Sequence, residues 1–438
     1  MLPVSVGQKI TGTVEKLVFG GAGLIRHNGF VIFVPDVIPK ETVVVEITSI
    51  KRRYAEGILI SVEKPSEKRI PPLCPYSGRC GGCQLQHIDP QCHPSFKKEW
   101  LHTALYHGSQ STTVDFDIVA TSSVYGWRRK ITLHALWKNR QWVFGFFAKD
   151  NESILPISWC PLFFSDDEKS IIGEINQALH LIPGTSSAQI DVTLFRLPTK
   201  KICLVATSTI PISQKVKSLL IRAFKRFSCV QSFSIRSPNT RYDSGSTECT
   251  FTALRAKWHY SIDAFIQNHP TLSEVLWGDI INIIDATNSK QTVLDLYSGI
   301  GVTAISLAKQ GHCVTAVELS EAAVQAAQRS AKEILGDDQK RVSFVQSSVE
   351  DFLLRVEQTG DFLIVNPPRT GLSKSASSAI LEKAPMRIVY VSCSPPTLAR
   401  DLALFQKEGW KIVYVRGYDM FPQTTHFETI VVIEKTLI

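Results

Sequence analysis

Apolar and polar residues tend to alternate through residues 5–64, in "KITGTVEKLVFG", "GFVIFVPDV", "ETVVVEITSIKRR" and "AEGILISVEK". Side chains of a strand point to opposite faces in turn, so this period predicts short strands, each buried on one face. "GGAG" and "HNGF" supply turns between them. Four or five strands in so short a stretch predict a small OB-like Greek-key barrel, an architecture that often binds oligonucleotides. The Pro-rich, charged "EKPSEKRIPP" (63–72) reads as a linker. Residues 124–250 mix strand-like runs such as "KITLHALW" and "QWVFGFFA" with helical ones such as "QKVKSLLIRAFKRF", an α+β texture.

From about residue 271 the pattern changes. Apolar runs, "TVLDLYSG", "CVTAVELS", "VSFVQSS", "DFLIVNPP", "MRIVYVSCS", "WKIVYVRGY" and "TIVVIEK", are separated by helical stretches such as "VTAISLAKQG" and "EAAVQAAQRSAKEIL". Strands apolar on both faces and alternating with helices predict a mostly parallel sheet covered on both sides. Ligands of such sheets bind beyond the carboxyl ends of the strands. The chain thus reads as multidomain: a barrel over 1–64, a basic central α+β domain over 65–262, and an α/β Rossmann-like domain over 263–438.

With 438 residues, 44% hydrophobic and 20% charged, the composition is that of an ordinary globular protein. No apolar run approaches the ~18 residues of a membrane span, so no membrane partner is expected. The opening "MLPVSVGQKITG" lacks the basic-then-apolar order of a secretory leader. A cytoplasmic, monomeric protein is expected. In that compartment ten cysteines point to metal, catalysis or plain burial rather than disulfides. The net charge of +8 is uneven: the three segments carry +2, +10 and −4, the middle one with 24 Lys and Arg against 14 Asp and Glu. A basic middle suggests a polyanion partner, although basic residues also decorate solvated surfaces.

Several strand ends of the C-terminal domain carry candidate chemistry. In "DLYSGIGVTA" (295–304), Gly299 and Gly301 allow a tight turn and close backbone approach to a ligand. Glu318, nineteen residues after Gly299, ends the next strand, where a carboxylate can accept from ribose hydroxyls. That fits a nucleoside cofactor, but "GIGVTA" also matches the dinucleotide pattern, and a plain turn would look the same. "VNPPRTG" (365–371) stiffens a loop with two prolines and leaves Asn366 facing the crevice. "YVSCSPPTLARD" (390–401) holds Cys393 at a strand-to-loop break. Its thiol is a nucleophile if its pKa is lowered and an inert buried group otherwise. "YDMFPQTTHFETI" (418–430) offers Asp419, His426 and Glu428 for proton transfer. Reactive groups on several loops of one crevice count for more than any single motif.

Upstream, "LCPYSGRCGGCQLQH" (73–87) sets Cys74, Cys80 and Cys83 in a C-x5-C-x2-C run. Cys160, in "ISWCPL", can supply a fourth thiolate from afar, with His87 and Cys92 as competing ligands. Four thiolates suit zinc or an iron–sulfur cluster alike. "YGWRRKITLHALWKNRQWVFGFF" (125–147) interleaves Arg and Lys with Trp and Phe. That suits phosphate contact and base stacking, or an ordinary amphipathic hairpin.

Together these motifs resemble the RNA uracil-5-methyltransferase family over nearly the whole chain. The barrel is similar to a TRAM domain, an RNA-binding module. "CPYSGRCGGCQLQH" with "SWCPL" resembles the family's four-cysteine [4Fe–4S] site, and "DAFIQNHP" (263–270) its substrate-binding segment. "NPPRTG" followed by "IVYVSCSPPT" resembles its nucleophile signature, and "YDMFPQTTHFE" its C-terminal signature. The resemblance implies methyl transfer from S-adenosylmethionine to C5 of a uridine in RNA, with ribosomal RNA expected. Cys393 would add to C6 of the uracil, and Glu428 would remove the C5 proton. Gln267, Asp295, Tyr297, Gly299, Gly301, Glu318, Ser348 and Asn366 would bind the cofactor, and Cys74, Cys80, Cys83 and Cys160 the cluster. Ser298, Ser394, His269 and Thr303 depart from the family pattern, where Cys, Asn, Asn and an aromatic are usual, and Asn366 stands where Asp is usual. Two rival readings are a nicotinamide-dependent oxidoreductase and a non-catalytic RNA-binding protein on the same fold.

Overall fold

The computed structural model describes residues 3–108, 114–163, 171–184, 188–287, 289–357, 360–383 and 385–435. The alternating N-terminal stretches are strands: β1 (Lys9–Thr13), β2 (Lys16–Leu17), β3 (Gly23–His27), β4 (Phe30–Val34), β5 (Thr42–Ile50) and β6 (Tyr54–Lys64). They form one sheet in the order β1-β5-β6-β4-β3-β2. Val43, Val45 and Ile47, every second residue of β5, are buried with Ile25, Ile32 and Val34 in a core of their own. The stretch read as a linker is anchored. Arg69 reaches back to the fully buried Glu41, Nε to Oε1 at 2.6 Å and Nη2 to Oε2 at 2.7 Å. A guanidinium fork matches a carboxylate at two points, and the backbone N–H groups of Ile38 and Ser66 donate to the same group.

After helix α1 (His93–Gly108) and the two-residue strand β7 (Ile118–Val119) comes a second sheet. Its strands are β8 (Lys130–Lys138), β9 (Gln141–Phe147), β10 (Ile154–Pro156), β11 (Gln189–Arg196), β12 (Ile202–Ser208), β13 (Val230–Ser237) and β14 (Thr240–Ser244). The order is β10-β9-β8-β11-β12-β13-β14. Only β12 and β13 run parallel, and a crossover helix joins them. That helix, α3 (Gln214–Phe224), and α2 (Ile171–Leu179) share a core with the sheet, including Ile175, Val192, Leu204 and Phe224. A hairpin of β15 (Glu248–Ala253) and β16 (Ala256–Ser261) follows.

The third sheet carries the alternating C-terminal pattern. Helix α4 (Pro270–Asp285) precedes it. Then come β17 (Thr292–Leu296), α5 (Val302–Lys309), β18 (Cys313–Glu318), α6 (Glu321–Leu335), β19 (Val342–Gln346), α7 (Val349–Arg355), β20 (Phe362–Val365) and α8 (Lys374–Lys383). β21 (Arg387–Ser392), α9 (Pro395–Lys407), β22 (Trp410–Tyr418) and β23 (Glu428–Lys435) complete the series. The order is β19-β18-β17-β20-β21-β23-β22-β7, with β17 to β21 parallel and β23 antiparallel to both neighbours. Every residue of β20 is buried, as a doubly covered strand requires.

The edge strand β7 comes from the segment between the cysteine cluster and the second sheet. It pairs in parallel with Gly417 and Tyr418 of β22, and α1 packs on α9. Gly417 permits this: a Cβ there would lie 2.1 Å from Ile118 Cδ1. Among the described residues no helix is long and apolar enough to cross a membrane.

Candidate active site

The turn after β17 is built from left-handed backbone. Tyr297, Gly299 and Gly301 have φ of 60°, 57° and 74°. A Cβ at Gly301 would meet Ala327 Cβ and Phe344 Cε1 at 3.1 Å, whereas nothing lies within 4 Å of one at Gly299. Packing therefore requires the second glycine, and the first leaves room for a ligand. Tyr297 is a non-glycine residue in this conformation, which carries a steric penalty. Glu318, at the end of β18, accepts from Gly299 N (2.9 Å) and Ser320 N (2.8 Å). One carboxylate is thereby aimed from two backbone amides and retains acceptor capacity for hydroxyls. Leu319 beside it is an exposed apolar residue that sequence reasoning passed over.

Asp295 and Asn366 line the same cleft as Gln267, Tyr297 and Gly299. Asp295 is buried, and burial followed by the charge of Glu318 pushes its carboxyl up to about 7. Its Oδ2 has no hydrogen-bond partner among the described residues. A buried carboxylate in that state favours a cationic ligand. Ser348 is occupied differently: its hydroxyl accepts from Asp351 N and donates to Asp351 Oδ2, capping α7.

The proposed nucleophile and base are neighbours by sheet register. β21 and β23 pair with Ser392 opposite Thr429, so the next step sets Cys393 against Glu428. Both line a larger cleft with Gln267, Glu318, Asn366, Arg369 and His426. Burial and then the charge of Glu428 push the Cys393 thiol up to about 11, opposed by Arg369. Glu428 is buried, which pushes its carboxyl up to about 8, opposed by Arg369 and a hydrogen bond from Gln267. Gln267 is itself buried, and its Oε1 has no partner among the described residues. Arg369 is the residue sequence reasoning missed. The available signal was a cation set directly after two rigid prolines at a strand end. His426 is pushed down to about 4, first by burial and then by Arg369, Lys97 and Arg128, so it is neutral near pH 7. Asp419 is buried and ion-paired with Lys97, and it is not among the residues that line the cleft.

The four cysteines Cys74, Cys80, Cys83 and Cys160 line one cavity, with Arg128, Phe147 and Trp159. Burial and their mutual charges push Cys83 up to about 12, and burial first of all pushes Cys160 up to about 11. The competing ligands point elsewhere: the His87 ring bonds Val37 O, and Cys92 packs against the core beneath α1. No three His, Cys, Asp or Glu side chains among the described residues are set to hold a single metal ion. Arg128 faces both this cavity and the cleft. Its neighbours in the basic stretch are packed: the Arg129 guanidinium lies 4.9 Å over the Phe251 ring, and Lys130 Nζ 4.9 Å over Phe195. His269 accepts from Leu272 N through Nδ1 and so caps α4, a role an Asn oxygen also fills, while its ring stacks on Trp127 at 5.5 Å.

The family model described as tRNA (Uracil-5-)-methyltransferase matches residues 251–436, and that of the TRAM domain matches 3–60. An uncharacterized RNA methyltransferase of Protochlamydia amoebophila is 32% identical across 99% of both chains. The chain belongs to the RNA uracil-5-methyltransferase family. Within that family, a 23S rRNA (uracil(1939)-C(5))-methyltransferase of Shewanella piezotolerans is 28% identical, covering 98% of this chain and 96% of its own. The tRNA (uracil-54, C5)-methyltransferase of Pyrococcus abyssi, solved with S-adenosyl-L-homocysteine, has the same fold. It superposes with a TM-score of 0.74 at 22% identity, covering 97% of this chain and 99% of its own. Membership of this enzyme family displaces both the oxidoreductase reading and the non-catalytic one.

Proposed function

We propose that the protein methylates C5 of a uridine in RNA through a covalent Cys393–C6 adduct. The observation that carries this reading is the Cys393–Glu428 pair lining the cleft, with Gln267 on the carboxylate. S-adenosylmethionine suits the groups beside it: Glu318 is aimed for ribose hydroxyls, and the unpartnered Oδ2 of Asp295 suits an ammonium group. Gly299 leaves backbone room beside them. The cofactor would supply an electrophilic methyl group on a cationic sulfur, whose charge also favours the ionised forms of Cys393 and Glu428. Uracil C5 is a weak nucleophile. Addition of the Cys393 thiolate at C6 pushes the ring electrons toward O4 and makes C5 an enolate carbon. Once C5 bears its methyl group, Glu428 takes the C5 proton and the thiolate leaves. Arg369 lies where it lowers the charge cost of both groups.

The Shewanella relative's name supports ribosomal RNA as the substrate. The four thiols, which face one cavity, would hold a [4Fe–4S] cluster. Arg128 and the barrel would contact the RNA backbone. The test is Glu428→Gln with labelled S-adenosylmethionine and ribosomal RNA. Turnover should fall about 10²- to 10⁴-fold, while a denaturation-resistant adduct bearing the methyl label accumulates. Full turnover by this variant rules out Glu428 as the base. Because the ionised carboxylate is the active form and burial pushes its pKa up to about 8 in the free enzyme, kcat/KM for RNA should increase as pH rises through that value.

A further inference from the structure

Lys97 takes no part in the steps above, yet it is among the largest fully buried side chains of the protein. An ammonium group taken wholly out of water must have its protons met. Lys97 Nζ donates to the Asp419 carboxylate, to Phe421 O at 3.3 Å and to His426 O at 2.9 Å. These three acceptors span the loop between β22 and β23, and Glu428 follows His426 by two residues. The start of the loop is fastened a second time, by Asp419 N donating to Val119 O of β7 at 2.8 Å. Lys97 thus draws both ends of the loop onto α1, and Glu428 projects from its far end.

We infer that Lys97 is a positioning residue for the base. By holding Asp419, Phe421 and His426 on one ammonium group, it fixes where the Glu428 carboxylate stands relative to C5, without touching substrate. This rests on the proposed role of Glu428. In the step concerned, Glu428 takes the C5 proton, the C5–H electron pair becomes the C5=C6 double bond, and the C6–S pair departs with Cys393. Attack at C6 comes earlier and depends on Cys393, held between β21 and α9, which the ammonium does not bond. A displaced Glu428 should therefore slow release of the adduct far more than its formation.

Lys97→Met alone would strand the buried Asp419 carboxylate, so the variant to make is Lys97→Met with Asp419→Asn, which removes both charges together. Adduct formation and adduct release are timed separately, with labelled S-adenosylmethionine and ribosomal RNA. Formation should stay within about threefold of wild type and release should slow about a hundredfold, the scale of a small misplacement of a reacting group. Methylated adduct should then build up as it does in Glu428→Gln. Lys97→Gln with Asp419→Asn, which keeps a donor for the His426 carbonyl, guards against misfolding of the first variant. It should show the same bias, about tenfold weaker. Equal loss of both rates, or no loss of either, overturns the inference. If Glu428→Gln itself accumulates no adduct, the base assignment fails and the inference with it. If Glu428→Gln accumulates adduct and the Lys97 variants do not, the inference alone fails.

Discussion

Cys393 and Cys160 are two thiols with nearly the same displacement and different surroundings. Each is pushed up to about 11, with burial as the first cause. Beside Cys393 stand one carboxylate and one cation, Glu428 and Arg369, at an open cleft. Around Cys160 stand other thiols, Cys74 and Cys80, and the cation Arg128. A single thiol beside a cation can ionise, react and be regenerated within one catalytic cycle. Four thiols that face one another ionise together only around shared positive charge, which is the condition of a metal site. The size of a shift does not distinguish a nucleophile from a metal ligand; the neighbours do.

Cys393→Ala should separate the two sites most widely. Methyl incorporation should fall at least about 10⁴-fold, the scale on which loss of a nucleophile acts, and no adduct should form. Cys160→Ser should leave the nucleophile in place and instead remove protein-bound iron and sulfide, measured on protein kept from oxygen, while Cys92→Ser keeps both. Iron retained by Cys160→Ser would move the fourth ligand elsewhere.

A smaller effect is expected from Arg369→Gln. The Arg369 cation opposes the upward push on both Cys393 and Glu428. Without it both groups ionise at higher pH, so the rising limb of the activity profile should move upward. Arg369 is exposed, so solvent screens it, and alkylation of the Cys393 thiol near pH 8 should slow only about threefold. An unchanged profile would mean that Arg369 points into solvent during the reaction.

The smallest effect concerns Arg128. Arg128→Gln should lower the slope of log affinity for RNA against log salt by about 0.7 to 0.9, the value of one phosphate contact. Lys130→Gln should leave the slope unchanged, because Lys130 lies against the Phe195 ring. Equal changes in both would return the whole basic stretch to the RNA face.

The C-terminal sheet was legible because its strands are apolar on both faces and its candidate site residues sit at strand ends. Cys393, Glu428, Gln267, Glu318 and Asn366 could be named from local pattern and from likeness to a family. What local pattern could not carry was pairing at long range. Lys97 and Asp419 lie 322 positions apart, and "SFKKEW" contains nothing to say that one lysine is inside the protein. The charge of Arg129 and Lys130 is visible in sequence, whereas the Phe251 and Phe195 rings beneath them are not. Pro and charge in 63–72 signalled a tether, and only the buried Glu41 across the barrel made Arg69 an anchor.

The borrowed edge strand has a consequence for biosynthesis. α1 and β7 leave the ribosome early, whereas their partners α9, β22 and the loop that receives Lys97 are made some 300 residues later. During that interval the ammonium group of Lys97 has no carboxylate to meet, and β7 has no sheet to join. Closure of this unit must await segments some 300 residues further along the chain, a high-contact-order event and hence a slow one. A fragment beginning at residue 263 would carry both members of the proposed reacting pair, yet would leave Gly417 and Tyr418 of β22 without their strand partner, lengthening an edge open to pairing with other chains.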